Sequence, residues 1–99
     1  MSIPAKRVND LVIWEGVTPD TEDVDWTHAQ GQTAYVQVLG TFSRVALEGT
    51  LDREAAPLRL AVLTPGVPLI VLPVPLFIRP RVLEGERVTI LMYFPEGRH

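Results

Sequence analysis

The strongest pattern in the chain is an alternation of apolar and polar positions between Thr33 and Leu51. Ala34, Val36, Val38 and Phe42 alternate with Thr33, Tyr35, Gln37 and Thr41. After a break over 40–44, Val45, Leu47 and Leu51 alternate with Ala46, Glu48 and Thr50. Successive side chains of an extended strand point to opposite faces, so each run predicts a strand with one face on a core. Gly40 and Ser43 in the short connection predict that the two strands form a β-hairpin.

The rest of the chain repeats the same grammar. Leu11 to Trp14 is a β-rich run closed by Glu15-Gly16, and 18–32 reads as a long loop pinned to the body by Trp26. The stretch 52–57 is a connection with room for one helical turn. Leu58, Leu60 and Val62 alternate with Arg59 and Ala61 until Thr64-Pro65-Gly66 stops the strand. Val67 to Val74 is apolar on both faces of any pleat, while Pro68 and Pro73 keep it out of a central ladder. An edge strand covered by another chain fits that pattern. Leu76 to Leu83 extends to the turn Glu84-Gly85-Glu86, and the final strand sets Val88, Ile90, Met92 and Phe94 against Arg87, Thr89, Leu91 and Tyr93. No stretch has a helical period. The expected fold is all-β: a single small β-sandwich or barrel of about seven antiparallel strands over 11–95. Residues 1–10 read as a flexible N-terminal arm and 96–99 as a short tail.

Composition narrows the classes. The chain has 99 residues, 46% hydrophobic and 21% charged, which suits one domain with one core. It has no cysteine, so neither a disulfide framework nor a thiolate metal site is possible. Small domains without such staples commonly gain stability by oligomerising. The net charge is −3, with 9 basic and 12 acidic residues, which predicts no nucleic-acid groove. The longest apolar run, Val67 to Ile78, is broken by Pro68, Pro73 and Pro75 and is too short for a membrane helix, so no membrane partner is expected. The N-terminus lacks the apolar centre of a signal peptide, and the protein is expected to be made in the cytoplasm and to stay soluble.

Candidate chemistry is sparse. Asp20, Glu22, Asp23 and Asp25 offer hard oxygen donors, but not with the glycine and terminal glutamate spacing of a calcium loop, and a solvated acidic loop is the simpler reading. His28 and His99 are the only histidines, a thin supply for zinc. Ser43 lies in Gly-Thr-Phe-Ser-Arg, not in a nucleophile elbow. The glycines are isolated, without a phosphate loop. Arg79, Arg81 and Arg87 read as partners of cross-strand pairs with Glu84 and Glu86. Trp14, Trp26 and Tyr35 offer a sugar-stacking platform, although tryptophans in a small β-domain are usually core. No catalytic, cofactor-binding or metal-ligating residue is assigned, and no cofactor is expected. The expected partner interface comprises Ile3 and Pro4 of the arm with Val67, Pro68, Leu69, Ile70, Val71, Leu72, Pro73, Val74 and Pro75.

The order Val-Gln-Val-Leu-Gly-Thr-Phe, Val-Ala-Leu-Glu-Gly-Thr-Leu-Asp, Ile-Arg-Pro-Arg-Val and the final Val-Thr-Ile-Leu-Met-Tyr resembles small β-sandwich virion proteins of tailed bacteriophages, of the head decoration or minor capsid kind. The tryptophan that such proteins often carry after the Gly-Thr-Leu-Asp turn is missing from 53–58. The resemblance implies a non-enzymatic cement protein on the head surface of a virion, bound to the major capsid protein or neighbouring virion subunits and forming a homo-oligomer such as a trimer. A tail or neck protein, or a carbohydrate-binding or adhesion module, is the alternative expectation.

Overall fold

The computed structural model describes residues 2–21, 23–29, 33–67 and 69–95. These form nine strands: β1 (Lys6–Val8), β2 (Leu11–Val17), β3 (Thr27–His28), β4 (Thr33–Leu39), β5 (Phe42–Thr50), β6 (Leu58–Leu63), β7 (Leu69–Pro73), β8 (Phe77–Gly85) and β9 (Val88–Tyr93). They pair antiparallel in two sheets, one of order β1-β2-β9-β4-β7 and one of order β3-β8-β5-β6. The all-β expectation holds, with nine strands in place of about seven.

The inner faces follow the period-two pattern. Val12, Trp14, Ala34, Val36, Val38, Leu72, Val88, Ile90 and Met92 come from the five-stranded sheet. Val45, Leu47, Leu63, Ile78 and Val82 come from the four-stranded sheet, and Phe94 joins from beyond β9. Burial of about fifteen such side chains, each contributing roughly 1.5–3 kcal/mol against exposure, is what offsets the chain entropy of ordering the strands.

The pairing of strands differs from the expectation at one decisive place. β4 and β5 were expected to form a hairpin, yet they lie in different sheets. The connection at Gly40-Thr41 is an arch from one layer to the other, and Glu86 closes a second arch beside it by donating its backbone N–H to the Thr41 carbonyl at 2.9 Å. Alternation states which side of a strand is buried but not which neighbour it bonds, so a hairpin and an arch read alike.

β6 is inverted relative to expectation. Leu63 is buried and Ala61 packs on the core, while Leu58, Leu60 and Val62 are exposed. Pairing of Leu63 with Val45 and of Ala61 with Leu47 sets this parity, and a bulge at Leu60, between Ala61 opposite Leu47 and Arg59 opposite Glu48, then displaces the rest of the strand. Leu51, expected on the core face, is exposed as well.

The N-terminal segment is not a free arm over its length. Asn9 adopts φ 55°, a left-handed conformation that asparagine tolerates, and turns β1 back onto β2. Ahead of it, the Ile3 N–H donates to the Asp23 carbonyl and the Asp25 N–H donates to the Ile3 carbonyl, both at 2.9 Å. Ile3 thereby ties the acidic loop to the side of the sandwich.

Candidate functional site

Two surfaces can be built from the residues upward. The first is a cleft of about 480 Å³ where the acidic loop meets the end of β2, lined by Ile3, Gly16, Thr18, Asp20, Thr21, Asp23 and Arg87. The Thr18 and Thr21 hydroxyls lie 3.1 Å apart, and the Thr18 N–H donates to the Thr21 hydroxyl at 3.1 Å, so these two residues satisfy each other, while Asp20, Asp23 and Arg87 are the charged groups of the lining. Among the described residues no group of three or more His, Asp or Glu side chains converges to hold a metal ion.

The second surface is the outer face of the five-stranded sheet. Registers across all five strands line up Val8, Leu11, Tyr93, Tyr35 and Val71 in one row. The row beside it reads Lys6, Ile13, Leu91, Gln37 and Leu69. A solvent-facing sheet normally alternates apolar-in with polar-out, yet here Val8 is 56%, Val71 53%, Leu69 50%, Tyr93 44% and Tyr35 42% exposed. The Tyr35 and Tyr93 rings lie 6.3 Å apart at a tilt of 46°, a mutually packed pair in the middle of the face. Leu39 extends the patch along β4. A Lys6–Glu15 ion pair of 2.6 Å marks its polar border at the β1 side.

The structure divides the expected interface run 67–75. Leu72 and Val74 are buried core residues, Ile70 and Pro75 are half-buried, and Val67, Leu69, Val71 and Pro73 face outward. Pro68 lies outside the described residues. Ile3 is half-buried in its bridge to Val24, and Pro4 is exposed. The two-sided apolarity of the run therefore has two causes, one face on the core and one on the outer patch.

The other residues singled out in the sequence are dispersed. Trp14 is in the core and donates its indole N–H to the Asp25 carbonyl at 2.9 Å. Trp26 lies under the Arg79 guanidinium at 4.2 Å, and Tyr35 is on the far sheet, so the three do not make one stacking platform. His28 packs its ring 5.2 Å from Phe77 on the other outer face, Ser43 is exposed on β5, and His99 lies outside the described residues. Arg79 and Arg81 share β8, whereas Arg87 lines the cleft. The cross-strand pairs formed are Arg79–Glu48 at 3.1 Å and Arg44–Glu84 at 3.0 Å.

Arg79–Glu48 differs from the other two ion pairs in being mostly buried, with side chains 22% and 13% exposed. Removing one charge strands the other near Trp26 in a poorly solvated position. Glu48→Gln is expected to lose about 1–3 kcal/mol of stability by urea unfolding. Glu15→Gln, at the exposed Lys6 pair, is expected to lose under about 1 kcal/mol. Equal losses would show that burial does not set the worth of these pairs.

No family model matches the chain, and no curated protein matches it. Among solved structures it is similar to hydroxypropylphosphonic acid epoxidase from S. wedmorenis, with a TM-score of 0.54 and 16% identity over 86% of this chain and 44% of that one. The chain thus spans less than half the length of that enzyme, and at this identity the likeness is one of fold. It corrects the expectation of a non-enzymatic virion protein, with its tail, neck and carbohydrate-binding alternatives. The fold on which that expectation rested is one that an epoxidase also carries, so an all-β sandwich of this kind is no ground for reading the chain as other than an enzyme.

Proposed function

We propose that the domain functions as a self-associating β-sandwich, in which the outer face of the five-stranded sheet packs on further copies of the same chain. The observation that carries this reading is the unbroken apolar row Val8–Leu11–Tyr93–Tyr35–Val71. A row of this kind arises from five separate segments and has no role in the domain's own core. Exposed apolar surface that is contiguous rather than scattered marks an interaction site. Two further features favour a second copy as the occupant. A 99-residue chain without cysteine has a limited core of its own. In this row and the one beside it the one charge is Lys6 at the β1 end, which is paired with Glu15, so two copies meet without like charges opposed at the middle of the face.

Sedimentation equilibrium tests the reading directly. The native chain should sediment as a multiple of 11.0 kDa. Tyr93→Lys, placed at the centre of the face, should weaken association at least about 30-fold, the effect of losing a buried aromatic anchor worth roughly 2 kcal/mol. An 11.0 kDa species in the native chain at every concentration would sink the proposal.

A further inference from the structure

The sandwich has four strand edges, and they are not built alike. An edge strand presents unpaired backbone N–H and C=O groups, and proteins guard such edges with charge, proline, shortness or bulges. β1 carries Lys6 and Arg7, both exposed. β3 has only two residues. β6 carries Arg59 and is itself bulged at Leu60. β7 has neither charge nor bulge, and its single guard is Pro73 at its end, which has no N–H to give a strand added there. Its sequence is Leu-Ile-Val-Leu-Pro, without a charge, and its five registers to β4 run from Gln37–Leu69 to Thr33–Pro73 without a shift. Pro73 is admissible there because an edge strand has one side free of ladder bonds.

We infer that β7 pairs antiparallel with β7 of a second copy about a two-fold axis at Val71, joining two five-stranded sheets into one of ten strands. This rests on the self-association proposed above and gives it a geometry. Full overlap of Leu69–Pro73 with itself places Val71 opposite Val71 of the second copy and Leu69 opposite Pro73. Both strands then keep their outward side chains on the same face. The row Val8–Leu11–Tyr93–Tyr35–Val71 continues through its mirror order in the second copy.

Area supports the second copy as occupant. The five strands are 3, 7, 6, 7 and 5 residues long, and at a spacing of about 4.8 Å they cover roughly 450 Å² in projection, of which only the middle rows are apolar. A standard interface takes about 800 Å² from each partner, so one face by itself falls short. Two faces joined edge to edge present roughly 900 Å² in one plane. A second such pair can cover them, which makes four copies the smallest assembly that closes both the edge and the face.

The chain has no cysteine, so one introduced at the axis reports on the edge alone. Paired residues across an antiparallel ladder lie within disulfide range. Under mild oxidation Val71→Cys should form a covalent dimer, and Ser43→Cys, exposed on the other sheet, should not. The native chain should be tetrameric. Tyr93→Lys, two strands in from the edge, should be dimeric and should still crosslink when combined with Val71→Cys. Leu39→Lys on the same face provides a second variant for the dimeric state.

The failures are separable. Monomeric face variants with no Val71→Cys crosslink in any background overturn the edge pairing and leave the face reading standing. A dimeric native chain that crosslinks through Val71→Cys and is unchanged by Tyr93→Lys and Leu39→Lys keeps the edge and overturns the face. A monomeric native chain overturns both.

Discussion

Trp14→Ala should leave the domain largely unfolded in water. Trp14 is fully buried between the sheets and is the largest such side chain in the core. Truncating a core tryptophan costs about 3–5 kcal/mol, part of it from the cavity left behind. The same side chain donates its indole N–H to the Asp25 carbonyl, the bond that holds the acidic loop over the sheet. That bond contributes roughly 0.5–1.5 kcal/mol more. A domain of this size has about 5–15 kcal/mol in total, and a small core puts it at the lower end. Urea unfolding followed by circular dichroism should show a lost or strongly shifted transition. Trp14→Phe keeps most of the packing and loses the indole donor, so it should cost about 1–3 kcal/mol and speed proteolysis within 18–29. A Trp14→Ala protein with an unchanged midpoint would contradict this account of the core.

Gly85→Ala is expected to be nearly as damaging, for a different reason. Gly85 ends β8 opposite Phe42 at φ +151°, outside the range open to alanine. A Cβ there would stand 2.7 Å from the Phe42 Cα and 3.1 Å from the Thr41 carbonyl oxygen. Both atoms belong to the backbone and cannot rotate away. Strain in the dihedral and overpacking together amount to about 2–6 kcal/mol. Gly66 provides the control, because a Cβ there meets nothing within 4 Å, and Gly66→Ala should change stability by less than about 0.5 kcal/mol. Midpoints of chemical unfolding for the pair decide the matter. If the two variants behave alike, the arches at 40–41 and 85–86 are not held in the close approach seen here.

What could be read from the chain beforehand follows from what alternation encodes. Ala34, Val36 and Val38 and the final series Val88, Ile90, Met92 and Phe94 declared their buried faces because the other side of each strand is polar or tyrosine except at Leu39 and Leu91. β6 misled because Leu58, Leu60, Val62 and Leu63 are apolar at both parities, and only register with Val45 and Leu47 chooses between them. Gly40 and Gly85 were recognisable as turns, but their need for an arch depends on the backbone of a neighbouring arch that lies more than forty positions away. The Asn9-Asp10 pair is a turn signal, but Lys6–Val8 has no apolar alternation to mark it as a strand. The outer patch was half legible. Val67 to Pro75 stood out as a run, whereas Val8, Leu11, Tyr35 and Tyr93 meet it only through registers that no local window contains.

The position of β9 has a consequence for how the chain is made. It is the central strand of the five-stranded sheet, bonded to β2 on one side and β4 on the other, yet it is last in chain order. Leu11 pairs early with Val8 but meets its β9 neighbour only when Tyr93 has been synthesised. Until then β1-β2 and β4-β7 are two separate ribbons with their apolar faces open, and two-stranded ribbons are marginal in water. The growing chain therefore has no stable halfway house, and its folding awaits closure across nearly the whole sequence, a slow and aggregation-exposed step.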